Sequence, residues 1–175
     1  MINKLFMIKK SAIIILIVFF IFSKVNAACD DLPANEVDWT NCNFIEQVDL
    51  SGVTLSLSNM AGVNLALVNL EKSQINNSDM SYGNFIFGNF SNANLFSSIL
   101  QYSNCNNANF DNANLAKVNL EGANLFMASF KGANLFEVNL TGANITNAVF
   151  DEANLSNATW VDGRKCALGS VGKCD

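Results

Sequence analysis

The stretch that decides the fold reads Ala108-Asn109-Phe110-Asp111-Asn112, Ala113-Asn114-Leu115-Ala116-Lys117, Val118-Asn119-Leu120-Glu121-Gly122, Ala123-Asn124-Leu125-Phe126-Met127. Each group of five runs small, asparagine, large, then two variable residues. The same order holds outward in both directions. Of the 23 positions divisible by five from Leu50 to Trp160, 22 are large and apolar, and the exception is Cys105. Two residues before each of them, from Val48 to Ala158, stands Ala, Val, Ser or Gly. The position between, from Asp49 to Thr159, is Asn 15 times and Asp twice.

Five is not a helical period. A helix turns about 500° over five residues, so the large residues would drift by about 140° per unit around the cylinder. A short strand fits better. Small, asparagine and large alternate in, out, in, and the two variable residues then turn a corner. Each unit becomes one side of a coil. Stacked coils place backbone over backbone at about 4.8 Å and fill the interior with ladders of Leu and Phe.

These units resemble the pentapeptide-repeat family, whose pattern is A-[DN]-[LF]-x-x. Ala113-Asn114-Leu115, Ala123-Asn124-Leu125, Ala133-Asn134-Leu135 and Ala153-Asn154-Leu155 match it in full, and the resemblance covers roughly residues 37–162. It implies an all-β chain, a right-handed quadrilateral β-helix with four units per coil and about six coils. The length implied is about 28 Å at ~4.8 Å per coil.

The register then assigns the remaining residues. Residues 20 apart stack, which sets Tyr82 over Tyr102 in a column continued by Gly62, Gly122 and Gly142. Asp111, Lys131 and Asp151 form a column of alternating charge, read as cross-coil pairing. Outward asparagines are expected to form amide ladders and to hold the bends. Cys105 falls in a large inward slot and reads as a buried free thiol. The single proline follows from strands that all need their N–H groups. The outward variable slots carry more apolar bulk than a solvated rod needs. Leu57, Phe96 and Phe136 share one face. Leu67, Ile86, Phe87, Phe126 and Met127 share the next but one. With Tyr82 and Tyr102 they form the candidate partner-contact surface.

The ends break the pattern. Residues 1–27 read as an export signal: Lys4, Lys9 and Lys10, eleven apolar residues from Ala12 to Phe22, then Val25-Asn26-Ala27. An uncleaved signal or lipidation at Cys29 would anchor the chain instead. Residues 28–47 read as an N-terminal cap with two irregular repeats, Val37-Asp38-Trp39 and Cys42-Asn43-Phe44, and one inserted residue before Val48. Residues 48–162 are the repeat helix and 163–175 a C-terminal tail. Trp39 and Trp160 sit at the first and last large slots and are expected to cap the core. Export permits disulfides. The flanking cysteines are expected to pair locally, Cys29 with Cys42 and Cys166 with Cys174.

Composition narrows the function. The chain has no histidine, which removes imidazole catalysis and ligation. The formal charge is −5; removing the signal takes four lysines and no acids, leaving 6 Lys+Arg against 15 acids, or −9. Such a chain is not a binder of nucleic-acid backbones. No acid pair, phosphate loop or nucleophile–base pair stands out, and no cofactor or metal is implied. The expected function is a non-enzymatic exported protein, periplasmic or extracellular, acting as a structural or protein-interaction scaffold with no stable membrane insertion once the signal is cleaved. The partner is unidentified, and a homo-oligomer through end-on or face contacts is compatible. The alternative is a DNA-mimic inhibitor of a DNA-binding enzyme such as gyrase.

Overall fold

The computed structural model describes residues 29–44 and 47–175. The expected export signal, 1–27, lies outside the described residues. From Asp49 to Asn139 every bridged residue pairs in parallel with the residue 20 positions later: Asp49 with Asn69, Asn94 with Asn114, Asn134 with Asn154. Bridged residues recur every five positions, so four columns of bridges wind into a β-helix. Below Asp49 the offset becomes 21, as in Asp38 with Asn59 and Asn43 with Asn64. The extra residue therefore falls between Asn43 and Asp49. The three-residue strands expected from the alternation are shorter in fact. Among the described residues each unit contributes one isolated bridge, because the chain turns a corner on both sides of it.

Hydrogen bonding in one unit shows why the pattern is small-Asn-large. Asn114 N–H donates to Ala93 C=O at 2.9 Å and Leu115 N–H to Asn134 C=O at 2.8 Å. Lys117 N–H donates to Phe136 C=O at 2.8 Å, and Val118 N–H closes the turn on Leu115 C=O at 3.1 Å. Only Ala116 N–H lacks a backbone acceptor. The side-chain oxygen of Asn114 accepts it at 3.3 Å, an Asx turn. All five donors are thus satisfied, as a β-coil without water inside requires. The other end of the amide faces the neighbouring coil: Asn114 donates to Asn94 at 3.0 Å and Asn134 donates to Asn114 at 3.2 Å. One side chain supplies both the bend and the ladder.

Inside, the large residues stack. Phe90, Phe110, Phe130 and Phe150 form a column with ring centroids 4.8, 5.0 and 5.1 Å apart, the coil spacing itself. Phe85 meets Phe90 edge-on at 5.6 Å, putting two rings into one coil. The small slots before them are Gly83 and Gly88. A Cβ on Gly83 would come within 2.4 Å of the Phe85 ring, and one on Gly88 within 2.9 Å of the Phe90 ring. Glycine is needed here for space.

Both ends are closed. Trp39 is buried against Phe44 with ring centroids 5.1 Å apart, and Cys29 is bonded to Cys42 beside it. Past Trp160 the chain reverses. Thr159 bridges Lys165 and Asn154 bridges Val171, both antiparallel. Leu155 N–H then donates to Ser170 C=O and Trp160 N–H to Arg164 C=O, so the last coil's donors face a partner instead of an open edge. Cys166 bonded to Cys174 closes this tail. Trp160 is half-buried against Phe150 with ring centroids 5.4 Å apart. Among the described residues no helix is long and apolar enough to cross a membrane.

Candidate functional site

The outward surface is made of four asparagine-bearing sides and four corners. From Gly52 to Asn157 every corner has its second residue in the left-handed region, for example Gly52 at φ 67°, Leu67 at 64° and Asn112 at 58°. The small-slot N–H after it donates back three residues, the geometry of a turn that favours Gly or Asn at that second place. Many corners comply: Gly52, Gly62, Gly122, Gly132 and Gly142, and Asn77, Asn92, Asn107, Asn112, Asn147 and Asn157.

Six of the candidate contact residues do not comply, and neither do Lys72, Ser97, Lys117, Glu137 and Glu152. Leu57, Leu67, Tyr82, Phe87, Tyr102 and Met127 all sit at the left-handed position, with φ between 55° and 64°. An L side chain in this region costs about 1–2 kcal/mol. All six are also exposed, from 50% for Tyr102 to 67% for Tyr82. The remaining four, Ile86, Phe96, Phe126 and Phe136, occupy first corner positions. Phe96 is exposed and the other three are half-buried. Residue pairing 20 apart separates the ten into three columns. Leu57, Phe96 and Phe136 form one, Tyr82 and Tyr102 the next, and Leu67, Ile86, Phe87, Phe126 and Met127 the third, diagonally opposite the first. Asn106 and Asn107 interrupt the third column.

The fourth corner is polar throughout: Ser51-Gly52, Glu71-Lys72, Ser91-Asn92, Asp111-Asn112, Lys131-Gly132 and Asp151-Glu152. Here the expected charge column works differently. Among the described residues no ion pair joins Asp111 to Lys131. The Asp111 carboxylate instead accepts the Lys131 backbone N–H at 3.0 Å, together with the Ser129 hydroxyl. Ser129 occupies an asparagine slot and turns its hydroxyl to Asp111, so Asp111 of the preceding coil takes the N–H in place of the missing amide.

Sequence reasoning placed the apolar corners but missed their backbone strain. The signal was available in the glycines and asparagines that fill the same slot elsewhere. It also passed over Ile99, an exposed apolar residue in an asparagine slot, and Leu168 on the tail. Lys117 lies 5.9 Å from the Phe96 ring centroid and partly covers that column with a cation.

Reactive groups are few. Cys105 is fully buried, and burial pushes its thiol up to about 12 although the Ser103 hydroxyl at 3.4 Å opposes the shift. Such a thiol is a filler and no nucleophile. Among the described residues no group of three His, Cys, Asp or Glu side chains is placed to hold a metal.

A family model described as pentapeptide repeats matches residues 45–81, 89–125 and 128–159 in eight copies. No curated protein sequence matches the chain. Among solved structures, HetL, a pentapeptide repeat protein involved in heterocyst differentiation regulation from Nostoc sp. strain PCC 7120, is 23% identical with a TM-score of 0.40, covering 77% of this chain and 73% of that one. Rfr23 from Cyanothece 51142 is 24% identical with a TM-score of 0.40 over 63% of this chain and 82% of its own. QnrB1, a plasmid-mediated fluoroquinolone resistance protein, is 20% identical with a TM-score of 0.42 over 69% of this chain and 62% of its own.

Proposed function

We propose that this chain, which belongs to the pentapeptide-repeat family, is an exported, non-enzymatic scaffold that binds a protein partner through its apolar corners. Its helix is read as right-handed and quadrilateral, with about six coils. One observation carries the binding reading: six large apolar or aromatic side chains stand exposed at a left-handed backbone position that favours Gly or Asn. Leu67, Phe87 and Met127 occupy a position where Gly or Asn would cost less, and the same fold uses Gly or Asn there at many other corners. Bulk kept at a cost to stability is the usual mark of a functional surface.

Support for export comes from the basic and apolar start of the chain and from two cysteine pairs placed at bonding distance. Cell fractionation tests it: mature protein lacking residues 1–27 in the periplasm or medium is expected, and full-length protein in the cytoplasm would overturn it. Mimicry of duplex DNA fits less well. It needs rows of free carboxylates, whereas the outward sides are rows of neutral amides bonded to one another, Asn64 to Asn43 and Asn84 to Asn64 among them.

The binding reading has a direct test. Phe87→Asn with Met127→Asn should leave thermal stability unchanged or slightly higher while a partner captured by the wild-type protein from its own compartment is lost. Retention of that partner by the double variant would overturn the assignment of this corner.

A further inference from the structure

Tyr82 and Tyr102 are the chain's two tyrosines, and they stand in one column on successive coils. Their ring centroids are 5.3 Å apart and the rings are stacked with 22° between their planes. Tyr82 N–H is held by Gln101 C=O and Tyr102 N–H by Glu121 C=O, both at 2.9 Å, so the backbone fixes both side-chain origins. On the far side Tyr102 lies over Gly122, where a Cβ would come within 2.5 Å of its ring carbons. The neighbouring glycine therefore makes room for this ring to lie flat along the column. Both rings are half or more exposed. Among the described residues neither phenol hydroxyl has a protein partner. Both residues also hold the costly left-handed backbone, at φ 58° and 55°.

We propose that Tyr82 and Tyr102 form an oxidative coupling site, in which a peroxidase using hydrogen peroxide joins them as dityrosine and staples two adjacent coils. Each phenol gives up one electron and one proton to the oxidant. The resulting phenoxyl radicals carry spin on the ring carbons next to the oxygen. These carbons combine in a new C–C bond, and each displaced ring hydrogen returns to its phenol oxygen. The sum is two tyrosines and one hydrogen peroxide giving one dityrosine and two waters. A fixed stacked pair favours this step over coupling between chains, because the second radical is already in place. The link would close a loop of 20 residues, the bridge-to-bridge interval, and so restrict the unfolded chain. The site is independent of the apolar corner described above.

The test uses the purified full chain with a haem peroxidase and hydrogen peroxide over a range of protein dilutions. Expected is dityrosine fluorescence in protein of monomer size, a mass lower by two hydrogens, and a peptide pair linked through residues 82 and 102. The yield should not change on dilution, and Tyr82→Phe and Tyr102→Phe, which keep the ring, should each abolish it. Links only between chains, with a yield that falls on dilution, would overturn the site. Oxidised tyrosines without a linked peptide would do the same. The linked monomer should melt at a higher temperature than the unlinked one, and an unchanged midpoint would overturn the stapling role.

Discussion

Two adjacent corners of each coil share a backbone and differ in everything else. The corner through Gly52, Lys72, Asn92, Asn112, Gly132 and Glu152 is polar from end to end. The corner through Leu67, Phe87 and Met127 carries apolar bulk at the same left-handed angle. If corner residues dictated the turn, leucine and phenylalanine would not share a conformation with glycine. The turn is imposed from inside, by the large slot two residues before and the amide one residue before that. Corner residues are thereby released from structural duty, and the molecule uses them differently on its different edges.

The largest test breaks the premise. Leu115 is fully buried in the column of Leu95 and Leu135. Leu115→Asp would place an unpaired charge in a dry core, at a cost exceeding the whole stability of a domain of this size. No cooperative thermal transition should remain. Inserting one residue next to Leu115 should be at least as damaging, since every later side chain would change faces. Circular dichroism during heating reads both. A native-like melt in either variant would mean that the interior does not set the corners.

A second test probes the one unit in which both inside and outside lose bulk, Ser103-Asn104-Cys105-Asn106-Asn107. Its thiol keeps its proton in the folded chain up to about 12, against 9.0 for an ordinary exposed thiol. The unfolded chain therefore releases that proton first as pH rises. Stability from this group is complete below pH 9 and falls between 9 and 12, by up to about 1.4 kcal/mol per unit. Urea titrations at pH 8 and pH 10.5 should show a smaller loss for Cys105→Ala than for the wild type. Equal losses would mean that the thiol is not shut away from water.

The corners themselves can be exchanged. Leu67→Asn should gain roughly 0.5–1 kcal/mol, because Asn tolerates the left-handed angle that leucine resists. Asn112→Leu on the polar corner should lose about 1 kcal/mol for the same reason. Chemical denaturation of both variants checks the pair. Changes of the same sign in both would show that local packing, and not the shared angle, controls the cost.

Legibility in the sequence followed the same division. The phase of Leu50 to Trp160 exposed the coil, the inward ladders and the columns, because a buried interior tolerates only a narrow set of side chains at each slot. The stacking of Tyr82 over Tyr102 was readable from their 20-residue separation once the family resemblance set four units per coil. What the period could not disclose was side-chain direction in solvent. Asp111 belonged to a charge column by spacing, yet it turns to the Lys131 N–H because Ser129 leaves that donor unmet. The tail was equally opaque: no periodic signal announces that Lys165 and Val171 fold back antiparallel against Thr159 and Asn154.

The smallest expected effect concerns a gap in the asparagine sides, which are the neutral ground between the contrasting corners. Ile99 stands between Asp79 below and Asn119 above, and it is exposed. Isoleucine offers no acceptor to the N–H two residues on, and among the described residues Gln101 N–H has no protein acceptor. Asp79 serves its own corner, accepting Ser81 N–H at 2.9 Å, and Asn139 donates downward to Asn119 at 3.2 Å. Ile99→Asn would give Gln101 N–H its acceptor, give Asn119 a neighbour to donate to, and place an amide donor against the Asp79 carboxylate. Each such bond contributes about 0.5–1.5 kcal/mol, and the loss of a β-branched side chain from the bridge position offsets part of it. A net gain of about 1 kcal/mol is expected, measured by denaturant titration. Slower exchange of the Gln101 amide hydrogen should accompany it. Destabilisation instead would mean that Ile99 is kept for its own packing, and that the sides as well as the corners carry residues chosen against the ladder.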